Sequence, residues 1–238
     1  MAQTRPLTTI GFDADDTLWH NETFFRMTQD RFTDLLADFA NPDHLDDRLL
    51  AAERRNIGHY GYGVKGFVLS MIETAIEVTD GRVSANVISE LLAAGRDMLE
   101  HPVNLLPHAA EAVSTLAKDY RVILVTKGDL LHQENKLAQS GLGDLFAGVE
   151  IVSEKTVETY AKVFKRQGDG AARGMMVGNS LKSDVLPVIA AGGHGVHVPH
   201  ALTWALEVAD PPQGHARFHA IGNLGELPDL VVRLGATL

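Results

Sequence analysis

Three carboxylates fall within four positions at the end of an apolar run, Ile10-Gly11-Phe12-Asp13-Ala14-Asp15-Asp16-Thr17. Such crowding is unfavourable unless a cation or a substrate uses it. If the extended conformation persisted, Asp13 and Asp15 would face one way and Asp16 the other, because side chains alternate along a strand. Two carboxylates converging on one spot can hold a divalent cation, and one can act as nucleophile while its partner shuttles a proton. The same residues also fit a solvated acidic turn. A second run, Val122-Ile123-Leu124-Val125-Thr126-Lys127-Gly128-Asp129, ends in a hydroxyl followed by backbone amides and a glycine. That is a reasonable cradle for a phosphoryl oxygen; equally, Thr126 suits strand packing and Lys127 a solvated loop. A third, Gly174-Met175-Met176-Val177-Gly178, opens into a loop holding Asn179 and Asp184. Their oxygens suit a hard cation such as Mg²⁺, although Asp184 also suits the start of a helix, where it favours the dipole.

Positioning these groups requires particular elements. Short apolar runs bounded by turn residues recur at Leu7 to Phe12, Arg121 to Thr126, Val149 to Val152, Gly174 to Val177, Gly195 to Val198 and, weakly, Arg217 to Ile221. They predict buried strands. Amphipathic stretches lie between the later ones: Ala109 to Lys118, Asp129 to Gln139 with Gly141 as a stop, Thr156 to Arg166, and Ser183 to Ala191 before Gly192. The alternation implies an α/β protein with a parallel sheet covered on both faces. From about Asn21 to Val103 only helical periodicity is found. Three apolar faces are expected there: Phe25, Phe32, Leu35, Leu36 and Phe39; Val64, Phe67, Val68, Met71, Ile72, Ala75 and Ile76; and Val87, Ile88, Leu91, Leu92, Met98 and Leu99, after the turn Asp80-Gly81 with Ser84 as N-cap. These predict an all-helical insert (21–103) in a sheet domain formed by 1–20 and 104–238.

Taken in order, the motifs resemble those of the haloacid dehalogenase-like hydrolase superfamily, whose members are mostly phosphatases. Asp13, Asp15 and Thr17 match its first motif; Thr126 matches the second; Lys155, in Ser153-Glu154-Lys155-Thr156, matches the third, with Lys162 a helical neighbour as fallback. Gly178-Asn179-Ser180-Leu181-Lys182-Ser183-Asp184 matches the fourth with one departure. The resemblance implies a Rossmann-like core interrupted by a helical cap. It implies Asp13 as nucleophile forming an aspartyl phosphate, and Asp15 as acid and base. Thr126, Lys127 and Gly128 would bind the phosphoryl group and Lys155 would neutralise charge. Mg²⁺ would be held by Asp13, the Asp15 carbonyl, and Asn179 or Asp184. The departure is Asn179, which stands where most phosphatases of the family carry an aspartate, so an amide replaces a charge among the cation's ligands. A small phosphorylated metabolite is the implied substrate. Within the insert, His59-Tyr60-Gly61-Tyr62-Gly63-Val64-Lys65-Gly66 reads either as a substrate-selecting loop, with Tyr60, Tyr62 and Lys65 touching the distal part, or as a Gly-rich helix connection. Trp19 is expected to pack core against cap. The alternatives are a 2-haloacid dehalogenase, disfavoured by Asp15 because dehalogenation has no leaving alcohol to protonate, and a weakened family member serving as a binding protein.

Composition narrows the field. The 238 residues are 45% apolar and 22% charged, with 21 Lys plus Arg against 31 Asp plus Glu, a net charge of -10. That balance argues against nucleic acid or an anionic membrane as the main partner. Without cysteine there is no disulfide framework, thiolate nucleophile or Cys-ligated zinc. The short, polar Met1 to Thr9 lacks a signal-type core, and no stretch approaches the roughly 20 apolar residues of a membrane span; a cytoplasmic protein is expected. His194, His197 and His200 have the numbers of a metal triad, but strand alternation and Pro199 should scatter their directions.

Overall fold

The computed structural model describes residues 7–236; the polar segment 1–6 lies outside them. Among the described residues six parallel strands are interspersed with helices in the chain order β1 (Thr9–Phe12), α1 (Glu22–Leu35), α2 (Pro42–Tyr60), α3 (Val64–Val78), α4 (Ala85–Glu100), α5 (Ala109–Leu116), β2 (Arg121–Lys127), α6 (Leu130–Ser140), β3 (Gly148–Val152), α7 (Val157–Gln167), β4 (Gly174–Gly178), α8 (Leu186–Ala190), β5 (His194–His197), β6 (Phe218–Ala220) and α9 (Leu227–Ala236). The sheet order is β3-β2-β1-β4-β5-β6. The chain therefore winds outward from β1 in one direction and then, from β4, in the other. Ligands bind in such sheets beyond the strand ends at this switch point.

Register puts the motifs there. Phe12 pairs with Leu124 on one side and Val177 on the other, so Asp13 and Asn179 leave the sheet at the same end as Thr126, which still pairs with Ile151 of β3. These strands read as unbroken apolar runs because both faces are covered. Ile10, Phe12, Trp19, Leu124, Met175 and Val177 share one core, and Ile123, Val125, Tyr160, Phe164 and Met176 the other. Burial of each such side chain is worth roughly 2 kcal/mol, which holds the strand ends in place. Trp19 is fully buried in the first of these cores.

The chain divides into two compact units, a sheet unit (7–20, 103–127 and 133–236) and a helical unit (21–102 with 128–132). The helical unit packs α1 to α4 around Phe32, Leu45, Leu49, Phe67, Met71 and Leu91. A Cβ on Gly95 would meet Val68 Cγ2 at 2.5 Å, so α3 and α4 approach closely where α4 lacks a side chain. Ser84 caps α4 as expected, accepting from the Val87 N–H at 3.2 Å.

The structure corrects several expectations. Helix α2 adds to the three expected helical faces; its own face (Leu45, Leu49, Ala52, Asn56) is thin and ends in a buried amide. That amide is held by Ser70 and Glu73. Phe39, Ile76 and Leu92 are exposed rather than core residues. Phe39 lies beyond the end of α1, where helical spacing no longer applies, and a four-helix packing needs a narrower stripe than the sequence offers. The helix expected from Ser183 begins instead with a π turn, Leu181–Val185, and α8 is confined to Leu186–Ala190.

Candidate active site

The strand carrying Asp13 stops at Phe12, and the chain then turns. Asp16 takes a left-handed φ of 57° and its N–H donates to the Trp19 carbonyl at 2.7 Å, while the Leu18 N–H donates to Ala14 O at 2.8 Å. The extended conformation therefore does not persist beyond the strand end, and a tight loop rather than strand alternation orients the acids. Asp13 is buried at the sheet edge. Lys155, on the loop before α7, is 4% exposed and its Nζ lies 2.5 Å from Asp13 Oδ1 and 2.6 Å from Asp184 Oδ1. Asp184 is fully buried and its other oxygen accepts from the Ser180 N–H at 3.0 Å. The glycine at 178 makes room for it, since a Cβ there would lie 2.2 Å from Asp184 Oδ2. Lys162, the fallback, is exposed on α7.

Burial and neighbouring charges together set the protonation behaviour. Burial foremost, and then the Asp184 charge, push the Asp13 carboxyl up to about 7 even though Lys155 pulls the other way. Burial alone would lower the Lys155 ammonium; its two carboxylate partners overcome this and hold it above the usual lysine range. For Asp15 burial again opposes ionisation, but Lys136 and the hydrogen bonds from Lys136, Gln133 and Trp19 outweigh it and hold the carboxyl below its ordinary value.

Two carboxylates thus share one ammonium, leaving an excess negative charge. Thr17 Oγ1 accepts from the Asn179 N–H at 3.0 Å and lies 3.3 Å from both Asp13 Oδ2 and Asn179 Oδ1. One hydroxyl hydrogen can serve only one of those oxygens. Net negative charge with carboxylate and carboxamide oxygens fits a hard divalent cation. Among the described residues no three acidic, histidine or cysteine side chains form a ligand set, so amide or main-chain oxygens would have to complete one.

The remaining expected residues divide. Thr126 is buried and accepts from Gln133 Nε2 at 3.2 Å. Lys127 does not stand in a solvated loop: its Nζ reaches Glu207 Oε1 at 2.7 Å, Ser183 Oγ at 2.9 Å and Glu154 Oε1 at 3.3 Å. Gly128 has a φ of 137°. In the helical unit Lys65 Nζ pairs with Asp129 Oδ2 at 2.8 Å, and Tyr62 is half-buried between α2 and α3. The three histidines turn to different partners: His194 to His219, His197 to the Asn179 carbonyl, and His200 to Leu202 O, with Asp16 Oδ1 at 3.7 Å.

Sequence reading missed Gln133, Lys136 and Glu207. Two polar residues at i and i+3 on the buried side of α6, beside Leu137, were a usable signal. Glu207 lies in an irregular stretch with no periodicity to flag it, yet it accepts from Lys127, Ser180 Oγ and Ser183 Oγ.

The parallel sheet thus presents a buried aspartate, lysine and aspartate at its switch point, where α/β proteins of this class bind their ligands. The chain belongs to the haloacid dehalogenase-like hydrolases, a family that matches residues 7–192. A haloacid dehalogenase-like family hydrolase from Xanthomonas campestris is 42% identical with a TM-score of 0.88, covering 99% of this chain and 94% of that one. Two others share the fold. The HAD-hydrolase YfnB from Bacillus subtilis, bound to magnesium, has 17% identity and a TM-score of 0.67 over 95% of this chain and 99% of that one. L-2-haloacid dehalogenase from Xanthobacter autotrophicus, with chloropropionic acid covalently bound, has 18% identity and a TM-score of 0.67 over 95% and 98%. No curated protein matches significantly.

Proposed function

We propose that this hydrolase is a Mg²⁺-dependent phosphomonoesterase acting on a small phosphorylated metabolite through an aspartyl phosphate on Asp13. The observation that carries the reading is Asp15. A second carboxylate close enough to Asp13 for its charge to act on it, and accepting hydrogen bonds at both oxygens, is what ester cleavage requires and halide displacement does not. In the first half-reaction an Asp13 oxygen bonds to phosphorus as the bond to the leaving oxygen breaks, and Asp15 gives that oxygen its proton. In the second, Asp15 takes a proton from the water whose oxygen bonds to phosphorus, and the bond from Asp13 to phosphorus breaks. Inorganic phosphate leaves and Asp15 is again the acid. An incoming dianionic phosphate raises the proton affinity of Asp15, which supplies the acid form for the first half. Lys155 holds Asp13 in line and offsets charge that a dianion could not otherwise approach. Asp13, the Asp15 carbonyl, Asn179 and Asp184 would hold Mg²⁺, which when bound neutralises charge on the phosphoryl group. Choice of leaving group is assigned to the helical unit as a cap, with Tyr62 and Lys65 as its candidate contacts.

The test compares wild type with Asp13→Asn on p-nitrophenyl phosphate and a panel of phosphorylated metabolites, with Mg²⁺ and with EDTA, alongside chloride release from 2-chloropropionate. Phosphate release that needs both Mg²⁺ and Asp13 is expected. Chloride release without phosphate release would reassign the enzyme as a dehalogenase, and no turnover of either would leave a binding protein.

A further inference from the structure

We infer that Lys136 and Gln133, one turn apart on the buried side of α6, are positioning residues that aim the Asp15 carboxylate for proton transfer; this rests on the phosphomonoesterase reading above. Both side chains are buried, Gln133 to 3% and Lys136 to 8% exposure. Burying an ammonium and an amide is costly unless each finds a partner. Both find the same one. Lys136 Nζ lies 2.5 Å from Asp15 Oδ1, and Gln133 Nε2 lies 2.9 Å from Asp15 Oδ2. The Trp19 indole adds a third donor, 2.7 Å from Oδ1. With donors from two chain segments on both oxygens, the carboxylate cannot rotate about its terminal bond without breaking a hydrogen bond. Its side chain nevertheless remains 24% exposed, so one side is open to a reacting group.

Gln133 supplies the second observation. Its Nε2 faces three acceptors, Asp15 Oδ2, Thr126 Oγ1 and Lys127 O, the last at 2.7 Å, while its Oε1 is buried with no partner among the described residues. Here the amide is turned so that one nitrogen joins Asp15 to the end of β2. A buried ion pair is a weak way to gain stability. What the pair does provide is a fixed direction for the group that must give and take a proton.

The experiment measures kcat/KM, which reports steps through transfer to Asp13, for p-nitrophenyl phosphate and for β-glycerol phosphate. The nitrophenolate leaves without a proton and the alkoxide does not. Lys136→Met should therefore lower kcat/KM for β-glycerol phosphate about 10- to 100-fold, within the range a general acid contributes. For p-nitrophenyl phosphate the change should stay under about threefold, and Lys136→Arg should recover most of the loss. Gln133→Leu should act in the same direction and stands in if Lys136→Met fails to fold. Independently of activity, the indole N–H resonance of Trp19, resolved from the second tryptophan by Trp204→Phe, should shift and exchange faster in Lys136→Met. Equal losses on both esters, or unchanged kinetics with an unmoved Trp19 resonance, would overturn the inference. Asp15→Asn separates the two levels: if it turns over β-glycerol phosphate like wild type, Asp15 is not the acid and base, and the positioning inference fails while phosphomonoesterase activity stands. If wild type hydrolyses neither ester, the phosphomonoesterase reading fails, and the Trp19 resonance alone decides the positioning.

Discussion

Removing the negative charge of Asp13 should make the metal-free protein more stable. Without a cation, Asp13 and Asp184 share only Lys155, and the Asp13 carboxyl is pushed from 3.8 to about 7 by burial first and by Asp184 second. A folded value above the unfolded one means the folded protein holds its proton longer. The contribution of Asp13 to stability is therefore whole below about 4 and lost as pH rises through about 7. Roughly three pH units at about 1.4 kcal/mol each set a ceiling near 4 kcal/mol. Asp13→Asn keeps the shape, stays neutral and leaves Lys155 paired one to one with Asp184. In EDTA at pH 8 it should exceed wild type by about 2 to 4 kcal/mol in urea unfolding. The gap should close toward pH 4, and should shrink or reverse in saturating Mg²⁺, because only the carboxylate form gains from binding the cation. A variant no more stable than wild type in EDTA, or a gain independent of pH, would refute this account of the charge cluster.

Gly178→Ala should displace the Asp184 carboxyl, which a new Cβ would meet at 2.2 Å; a loss of about 1 to 3 kcal/mol in urea unfolding is expected, with Mg²⁺-dependent turnover falling in parallel. Asn179→Asp should lower the Mg²⁺ concentration giving half-maximal turnover about tenfold, since ligand charge tunes affinity for hard cations; an unchanged or raised requirement would place position 179 outside the ligand set. On β5, beside the edge strand β6, burial first, then Arg217 and His219, push His194 down from 6.5 to about 4. The unfolded chain then takes up protons first, so this contribution is whole above 6.5 and lost as pH falls toward 4. The urea midpoint should drop across that window, and drop less in His194→Gln.

The strands were legible because parallel strands covered on both faces must be apolar throughout, and the runs ending at Phe12, Thr126 and Val177 are. The helical insert was legible in its richest faces, whereas α2 was not: its buried stripe closes on Asn56, whose partners Ser70 and Glu73 lie on another helix. Phe39, Ile76 and Leu92 matched helical spacing yet remain exposed, since periodicity states which residues share a face and not how wide a face the neighbouring helices cover.

The same division runs through the site. Asp13, Asp15, Thr126, Asn179 and Asp184 stood out as candidates because reactive residue types sit at or shortly after the ends of apolar runs, and Lys155 only through its resemblance to a family motif. The charge balance of the site could not be read this way. That Lys155 bridges two buried carboxylates, that Lys127 is engaged by Glu207, and that Lys136 and Gln133 grip Asp15 are contacts across up to 142 residues of chain. The sequence by itself determined which groups could react and which edge of a parallel sheet would carry them. The tertiary structure decided their ionisation and direction, because both depend on burial and on donors contributed by elements distant in the chain.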